Sequence, residues 1–421
     1  MAHRKGAILP VLAFSLLVSS LLTPSPAAAA AVFSDASAAA AVQLDALLAF
    51  KKGVTADPLG VLSGWNFTAG GAVGRPRHCD WTGVACDGAD HVTSIQLPES
   101  KLRGNLSPFI GNISTLQILD LTSNAFAGEI PPQLGRLGEL EQLILYDNIF
   151  SGEIPPELGE LTSLQLLDLA NNSLAGGIPR RLCNCSAMWA LGLEVNNLTG
   201  KIPSCIGEYL SPKLKIFQAY LNNLAGELPP SFANLTGLKT LDLSCNQLTG
   251  PIPPAIGTFS NLQILQLFEN RFTGSIPPEL GRCKNLIRLN IYSNRFTGEI
   301  PGELGNLTNL HALRLFDNEL SSEIPRSLRR CTSLVVLALS LNRLTGEIPP
   351  ELGEIRSLRS LSLYFNRLTG SIPPELGELR SLETLLLDSN RLTGKIPESL
   401  ANLVRLKRLR LSDNSLSGWL P

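Results

Sequence analysis

Residues Leu140-Glu141-Gln142-Leu143-Ile144-Leu145-Tyr146-Asp147-Asn148-Ile149-Phe150-Ser151-Gly152-Glu153-Ile154-Pro155 decide the fold. They can be written L-x-x-L-x-L-x-x-N-x-L/F-x-G-x-I/L-P, and the pattern recurs along the chain. Its asparagines fall at 124, 148, 172, 196, 222, 246, 270, 294, 318, 342, 366, 390 and 414, so eleven of twelve intervals are 24 residues and one is 26. The exception carries a two-residue insertion near Tyr209 to Pro212. A degenerate copy comes first, with Ile95 and Leu97 in the strand and Ser100 at the asparagine's place. A sustained period of this length marks a solenoid rather than separate cores.

The chemistry of one unit explains the stacking. The L-x-L segment alternates sides, so its leucines enter a core while the intervening residues face out. The asparagine amide can satisfy backbone groups at the turn that ends the strand. Glycine follows four residues later in twelve of thirteen repeats, Ser322 being the exception, where it permits backbone angles or a close approach that other residues resist. One unit cannot bury its leucines alone, so each must rest on its neighbours.

These residues are those of a leucine-rich repeat protein, and the L-x-G-x-I-P segment resembles the plant extracellular subclass. The resemblance implies an α/β solenoid: a right-handed superhelix with a concave parallel β-sheet and an N-terminal cap. On this reading residues 1–31 are a signal peptide, 42–91 a capping domain and 92–421 fourteen repeats with the last incomplete. The signal-peptide reading rests on His3, Arg4 and Lys5 before an apolar run from Ala7 to Leu22 and an alanine tract. It predicts entry into an oxidising compartment.

Composition narrows the function. Lys and Arg number 35 against 36 Asp and Glu, which supplies no basic field for nucleic acid. Beyond the leader the histidines are His78, His91 and His311, with no spacing for a metal cluster or a histidine-based triad. No phosphate-binding glycine loop or kinase signature is present, so this chain is expected to be no enzyme and to need no cofactor.

In the cap, Leu44, Leu47, Leu48 and Phe50 share a helical face ahead of Trp65, Cys79, Trp81 and Cys86. These residues resemble the capping domain of plant leucine-rich repeat receptor kinases. A Cys79–Cys86 disulfide is expected there, a metal site being the alternative. Cys183 and Cys205 lie in adjacent repeats, close enough in register for a stapling disulfide. Cys185, Cys283 and Cys331 replace a repeat leucine and read as small buried apolar residues, and Cys245 reads as a free thiol. Asn66, Asn105, Asn112, Asn171, Asn184, Asn197, Asn234 and Asn306 satisfy the glycosylation pattern.

The outward strand positions carry the binding signal. One such position holds Tyr146, Tyr220, Phe268, Tyr292, Phe316 and Tyr364, four of the chain's five tyrosines among them. At ~4.8 Å between strands, Phe268, Tyr292 and Phe316 should form an aromatic ladder, which would serve a ligand or simply pack on itself. Fourteen strands make a groove of roughly 60–65 Å, suited to about 20 residues of extended peptide. Arg288 and Arg314 face the same groove, and Arg359, Lys407, Arg408 and Arg410 add positive charge late in the chain. In the last repeat Leu406, Leu409 and Leu411 are expected to expose apolar surface.

Several segments go beyond the general pattern: Asp57-Pro58-Leu59-Gly60-Val61-Leu62-Ser63-Gly64-Trp65, Ser107-Pro108-Phe109-Ile110-Gly111-Asn112, and Arg180-Arg181-Leu182-Cys183-Asn184-Cys185-Ser186-Ala187-Met188. They resemble the flagellin-sensing branch of the plant receptor kinases, in its grass form. The resemblance implies a flagellin-derived peptide on the concave face, held at positions similar to Tyr292, Arg314 and Phe316. It also implies a co-receptor kinase of the somatic-embryogenesis type, and a membrane helix and kinase that this chain lacks. The expected location is the secretory pathway and then the outer face of the plasma membrane, or secretion if the chain ends at Pro421. An endogenous peptide-hormone receptor and a secreted inhibitor of polysaccharide-degrading enzymes are the alternatives.

Overall fold

In the computed structural model the structure describes residues 35–66 and 77–418. The leader assigned to 1–31 lies outside them. Within the unit spanning residues 40–421, a fifteen-stranded sheet runs the length of the repeats, beginning at Val84–Cys86 and ending at Arg408–Arg410. Successive repeat strands pair in parallel and in step, as Asp168 with Gly192, Gly192 with Gln218 and Gln218 with Asp242. Constant register follows from the constant repeat length. Short strands after the turn, such as Ala125–Glu129 and Ile149–Glu153, pair into a second, interrupted set of sheets.

The asparagine does more than close its own turn. Asn196 Nδ2 donates to the carbonyls of Leu193 and Glu194 in its repeat, at 3.1 and 3.2 Å, and to Leu169 of the preceding repeat at 3.0 Å. Its Oδ1 accepts from the Leu174 N–H at 2.9 Å. The same bonds recur at Asn148, Asn222, Asn246 and Asn318. Each amide therefore staples two repeats. Ser100 is too short to do this, and its hydroxyl bonds only the nearby Pro98 carbonyl.

The residue before each asparagine is left-handed, with φ between 49° and 56° from Ser123 to Asp413. Bulky or branched side chains at Val195, Leu221, Leu341 and Phe365 accept this costly conformation. Lateral bonds such as Val195 N–H to Tyr220 O, with those of the neighbouring asparagine, hold them there.

Opposite the sheet, each repeat turns through a short 3-10 segment such as Pro156–Glu160 or Pro278–Arg282, with proline suited to the first position. Where this position is glycine the turns approach closely: a Cβ on Gly159 would lie 2.2 Å from the Arg181 carbonyl oxygen. One turn departs from this form. Cys205–Tyr209 is α-helical, at the repeat that holds the insertion.

The cap extends both sheets. Val84–Cys86 pairs antiparallel with the first repeat strand Val92–Gln96, and Val54–Ala56 pairs antiparallel with Arg103–Asn105, so each of these sheets ends at this side in a three-residue strand, a short edge that offers little to pair with. On the helix Asp35–Gly53, Gln43 accepts the Val92 N–H at 2.9 Å. Phe50 packs on Trp65 and Phe126, and Trp65 stacks on Trp81 at 5.3 Å. Fully covered in this way, Leu97 and Leu119 join the core. At the other end Leu406, Leu409, Leu411 and Leu416 are only partly buried, whereas Leu382, Leu385 and Leu387 one repeat earlier are fully buried.

Candidate functional site

All six aromatic positions lie on the concave sheet and are half-buried. Phe268, Tyr292 and Phe316 stack face to face, with centroids 4.5 and 4.2 Å apart and planes within 12°. Both faces of Tyr292 and one face each of Phe268 and Phe316 are spent on this stack, so the middle of the ladder offers ring edges and the Tyr292 hydroxyl to the groove. Tyr364 instead meets Phe365 edge-on at 5.8 Å, and Phe365 is 53% exposed.

Beneath the ladder runs a polar chain across four strands. Arg314 Nη1 donates to Asn290 Oδ1 at 3.1 Å, Asn290 Nδ2 to Gln266 Oε1 at 3.0 Å, and Gln266 Nε2 to Asp242 Oδ2 at 2.6 Å. Opposite charges thus end a line of two amides, and each bond polarises the next. Partial burial pulls the Arg314 pKa below its ordinary value, against the favourable influence of Tyr292. Arg288 stands exposed one strand before it.

Nearer the cap the groove is acidic. Asp168, Glu194 and Asp242 are 3%, 2% and 4% exposed, facing the same sheet surface as Tyr146 and Tyr220. Burial raises Asp242 to about 6, opposed by bonds from Ser244 and Gln266. Burial also pushes Asp168 and Glu194 well up, and their mutual repulsion pushes Glu194 further. Burial and these carboxylates together lift the hydroxyls of Tyr146 and Tyr220. Single repeats do not reveal this cluster; the outward positions read as columns across repeats would have.

Two of the four late basic residues, Lys407 and Arg410, are paired, whereas Arg359 and Arg408 stand exposed. Arg410 Nη2 approaches Asp388 Oδ2 to 2.9 Å, off the hydrogen-bond direction, so the contact is coulombic. Lys407 bonds Glu383 at 2.7 Å. The basic excess is therefore less available than the sequence suggests.

Two disulfides are present, Cys79–Cys86 and Cys183–Cys205. His78 lies beside the first pair, but cysteines joined to each other cannot ligate a metal. Cys183 occupies the place that glycine takes in repeats such as that of Gly159, so the second bond spans the closest approach between two turns. Cys185, Cys283 and Cys331 are buried and free, each directing its thiol to a carbonyl of the preceding repeat at 3.3–3.4 Å. Cys245 is free and half-exposed. Among the sequons, Asn66, Asn105, Asn112, Asn184, Asn197 and Asn234 are exposed, whereas Asn171 and Asn306 are half-buried.

Comparison with known proteins agrees with this architecture. The leucine-rich repeat N-terminal domain matches residues 40–87, and leucine-rich repeat models match seven segments between 115 and 355 and the stretch 356–416. The ectodomain of the Arabidopsis receptor kinase HAESA, solved with the peptide hormone IDA and the co-receptor SERK1, shares 30% identity at a TM-score of 0.65. That alignment covers 89% of this chain and 70% of HAESA's. The chain belongs to the plant leucine-rich repeat receptor-kinase ectodomain family. The structure of PEPR1 with AtPEP1 is also similar, at 36% identity and a TM-score of 0.79 over 89% of this chain and 55% of that one. A probable leucine-rich repeat receptor-like serine/threonine-protein kinase of Arabidopsis thaliana is 39% identical over 83 residues, 20% of this chain and 12% of that protein. The chain thus matches only a small part of that curated relative, and just over half of the PEPR1 chain. The matching models are repeat and cap domains alone. No helix among the described residues is long and apolar enough to cross a membrane.

Proposed function

We propose that the chain is the ligand-binding ectodomain of a plant pattern-recognition receptor, which takes a bacterial flagellin-derived peptide along its concave face. The observation that carries peptide binding is the stacked ladder Phe268–Tyr292–Phe316 beside an Arg314 held in place by Asn290. A rigid aromatic rim next to a pre-oriented guanidinium suits an extended peptide with a carboxylate. The flagellin assignment rests on the sequence resemblance. In this reading the ectodomain sits on the outer face of the plasma membrane, joined elsewhere in the protein to a membrane helix and kinase. A co-receptor kinase of the somatic-embryogenesis type docks once the peptide is bound.

A second reading, a receptor for an endogenous peptide hormone, is favoured by the likeness to HAESA bound to one. Calorimetric titration separates the two. The flagellin-derived peptide should bind the full chain and lose at least tenfold in affinity in the Tyr292→Ala/Arg314→Ala variant. Absence of binding to the unaltered chain removes flagellin and leaves the hormone reading. Equal binding to both proteins removes the site assignment.

A further inference from the structure

Glu194 is a buried groove acid with no counterion among the described ion pairs. Its carboxylate is 2% exposed, and Oε2 has no hydrogen-bond partner among the described residues. Asp168, a diagonal neighbour on the adjacent strand, lies on the same face, because Asp168 pairs with Gly192 and Glu194 is two residues further on. Such neighbours are roughly 7–8 Å apart along the backbone, within reach of one cation placed between the two carboxylates. None of the described ion pairs includes Asp168, Glu194 or Asp242. Asp168 Oδ1 accepts the Ala170 N–H at 3.1 Å, but neither acid has a counterion, and two buried carboxylates without one are costly in a single spot.

The surroundings select the kind of cation. Between the two acids the sheet carries only the small side of Gly192 and Ala170, both buried. Tyr146 and Tyr220 stand on either side, each close enough to feel Asp168 and Glu194. A calcium ion needs six to eight oxygens, which two diagonal carboxylates do not supply. Aromatic faces beside carboxylates suit an organic cation, whose aliphatic stem packs on the rings while its head meets the acids.

We propose that Asp168 and Glu194 form a subsite for a lysine or arginine side chain of the peptide in the concave groove, with Tyr146 and Tyr220 turning to close over its stem. The inference rests on the peptide-binding reading and adds a polarity to it. Arg314 lies five strands beyond Gly192, roughly 24 Å, or about seven residues of extended chain. The fitting ligand carries a basic residue toward the cap and an acidic residue about seven positions away.

The test uses an acetylated, amidated octapeptide, Lys-(Ala-Ser)₃-Asp, and a copy with norleucine replacing lysine, each titrated by NMR into the full chain. The lysine peptide should bind at least tenfold more tightly than the norleucine peptide. That preference should vanish in the Asp168→Asn/Glu194→Gln variant and persist in Arg314→Ala. The variant replaces acids that have no counterion by neutral isosteres, and Asp168→Asn keeps an oxygen for the Ala170 N–H, so its unfolding midpoint should not fall at neutral pH. Equal affinity for both peptides, no binding of either, or a preference that survives in the variant would overturn the subsite. So would calcium chloride competing fully with the lysine peptide at a Glu194-dependent site. The flagellin-derived peptide titrated into the same preparation separates the two failures: if it binds while the octapeptide does not, only the subsite falls.

Discussion

Arg314 and Asn290, on adjacent strands of the concave sheet, are joined by a 3.1 Å hydrogen bond from guanidinium to amide oxygen. The amide passes the contact on through Gln266 to Asp242. A cation on one repeat is thereby oriented by an anion three strands away. Because the members act together, a double-mutant cycle between Arg314→Ala and Asn290→Ala should give a coupling of about 0.5–1.5 kcal/mol in urea unfolding. Additive effects would mean that the chain of bonds does not act as a unit.

Asn196→Leu removes four hydrogen bonds and leaves buried backbone groups of Leu169, Leu174 and Leu193 without their partner. The expected loss is about 2–4 kcal/mol. Each repeat leans mainly on its neighbours, so hydrogen exchange should accelerate first around residues 169–198.

Stability should rise as pH falls from neutral toward 5. Asp242 is lifted from 3.8 to about 6, and Asp168 and Glu194 move the same way. The native state therefore holds protons that the unfolded chain releases. That contribution is complete below the unfolded pKa near 4 and is lost as pH climbs through about 6; for Asp242 it is about 3 kcal/mol. Urea midpoints at pH 5.0 and 7.5 measure the slope, which Glu194→Gln should flatten.

Thiol labelling tests the cysteine assignments. Four cysteines are free among the described residues, and only Cys245 is half-exposed. Burial, with the Glu269 carboxylate, pushes its thiol up to about 12, so native labelling at pH 7.5 should be slow and confined to Cys245. Denaturant without reductant should release four thiols. Six or more would break the Cys183–Cys205 or Cys79–Cys86 assignment.

Glycopeptide mapping should find Asn197 and Asn234 modified and Asn171 bare. The first two are exposed, whereas the Asn171 amide nitrogen donates to Asp147 Oδ1 at 2.5 Å. A sugar on that nitrogen would crowd the bond beside the groove.

What the linear chain determined is the solenoid. Leucines at constant spacing can be buried only by stacking, and the asparagine at its fixed offset can be satisfied only at a turn, so Leu143, Leu145 and Asn148 specify one repeat and their recurrence specifies the rest. The aromatic column was legible for the same reason, since equal repeats place Phe268, Tyr292 and Phe316 side by side. The tertiary structure decided how neighbours use each other. It stacked the aromatic faces together, tied Arg410 to Asp388, chained Arg314 to Asp242, and placed Asp168 and Glu194 in one acidic spot with Glu194 Oε2 unpaired. These outcomes depend on burial and on side chains 22 to 26 residues apart meeting across strands about 4.8 Å apart, a distance that composition and motif do not express.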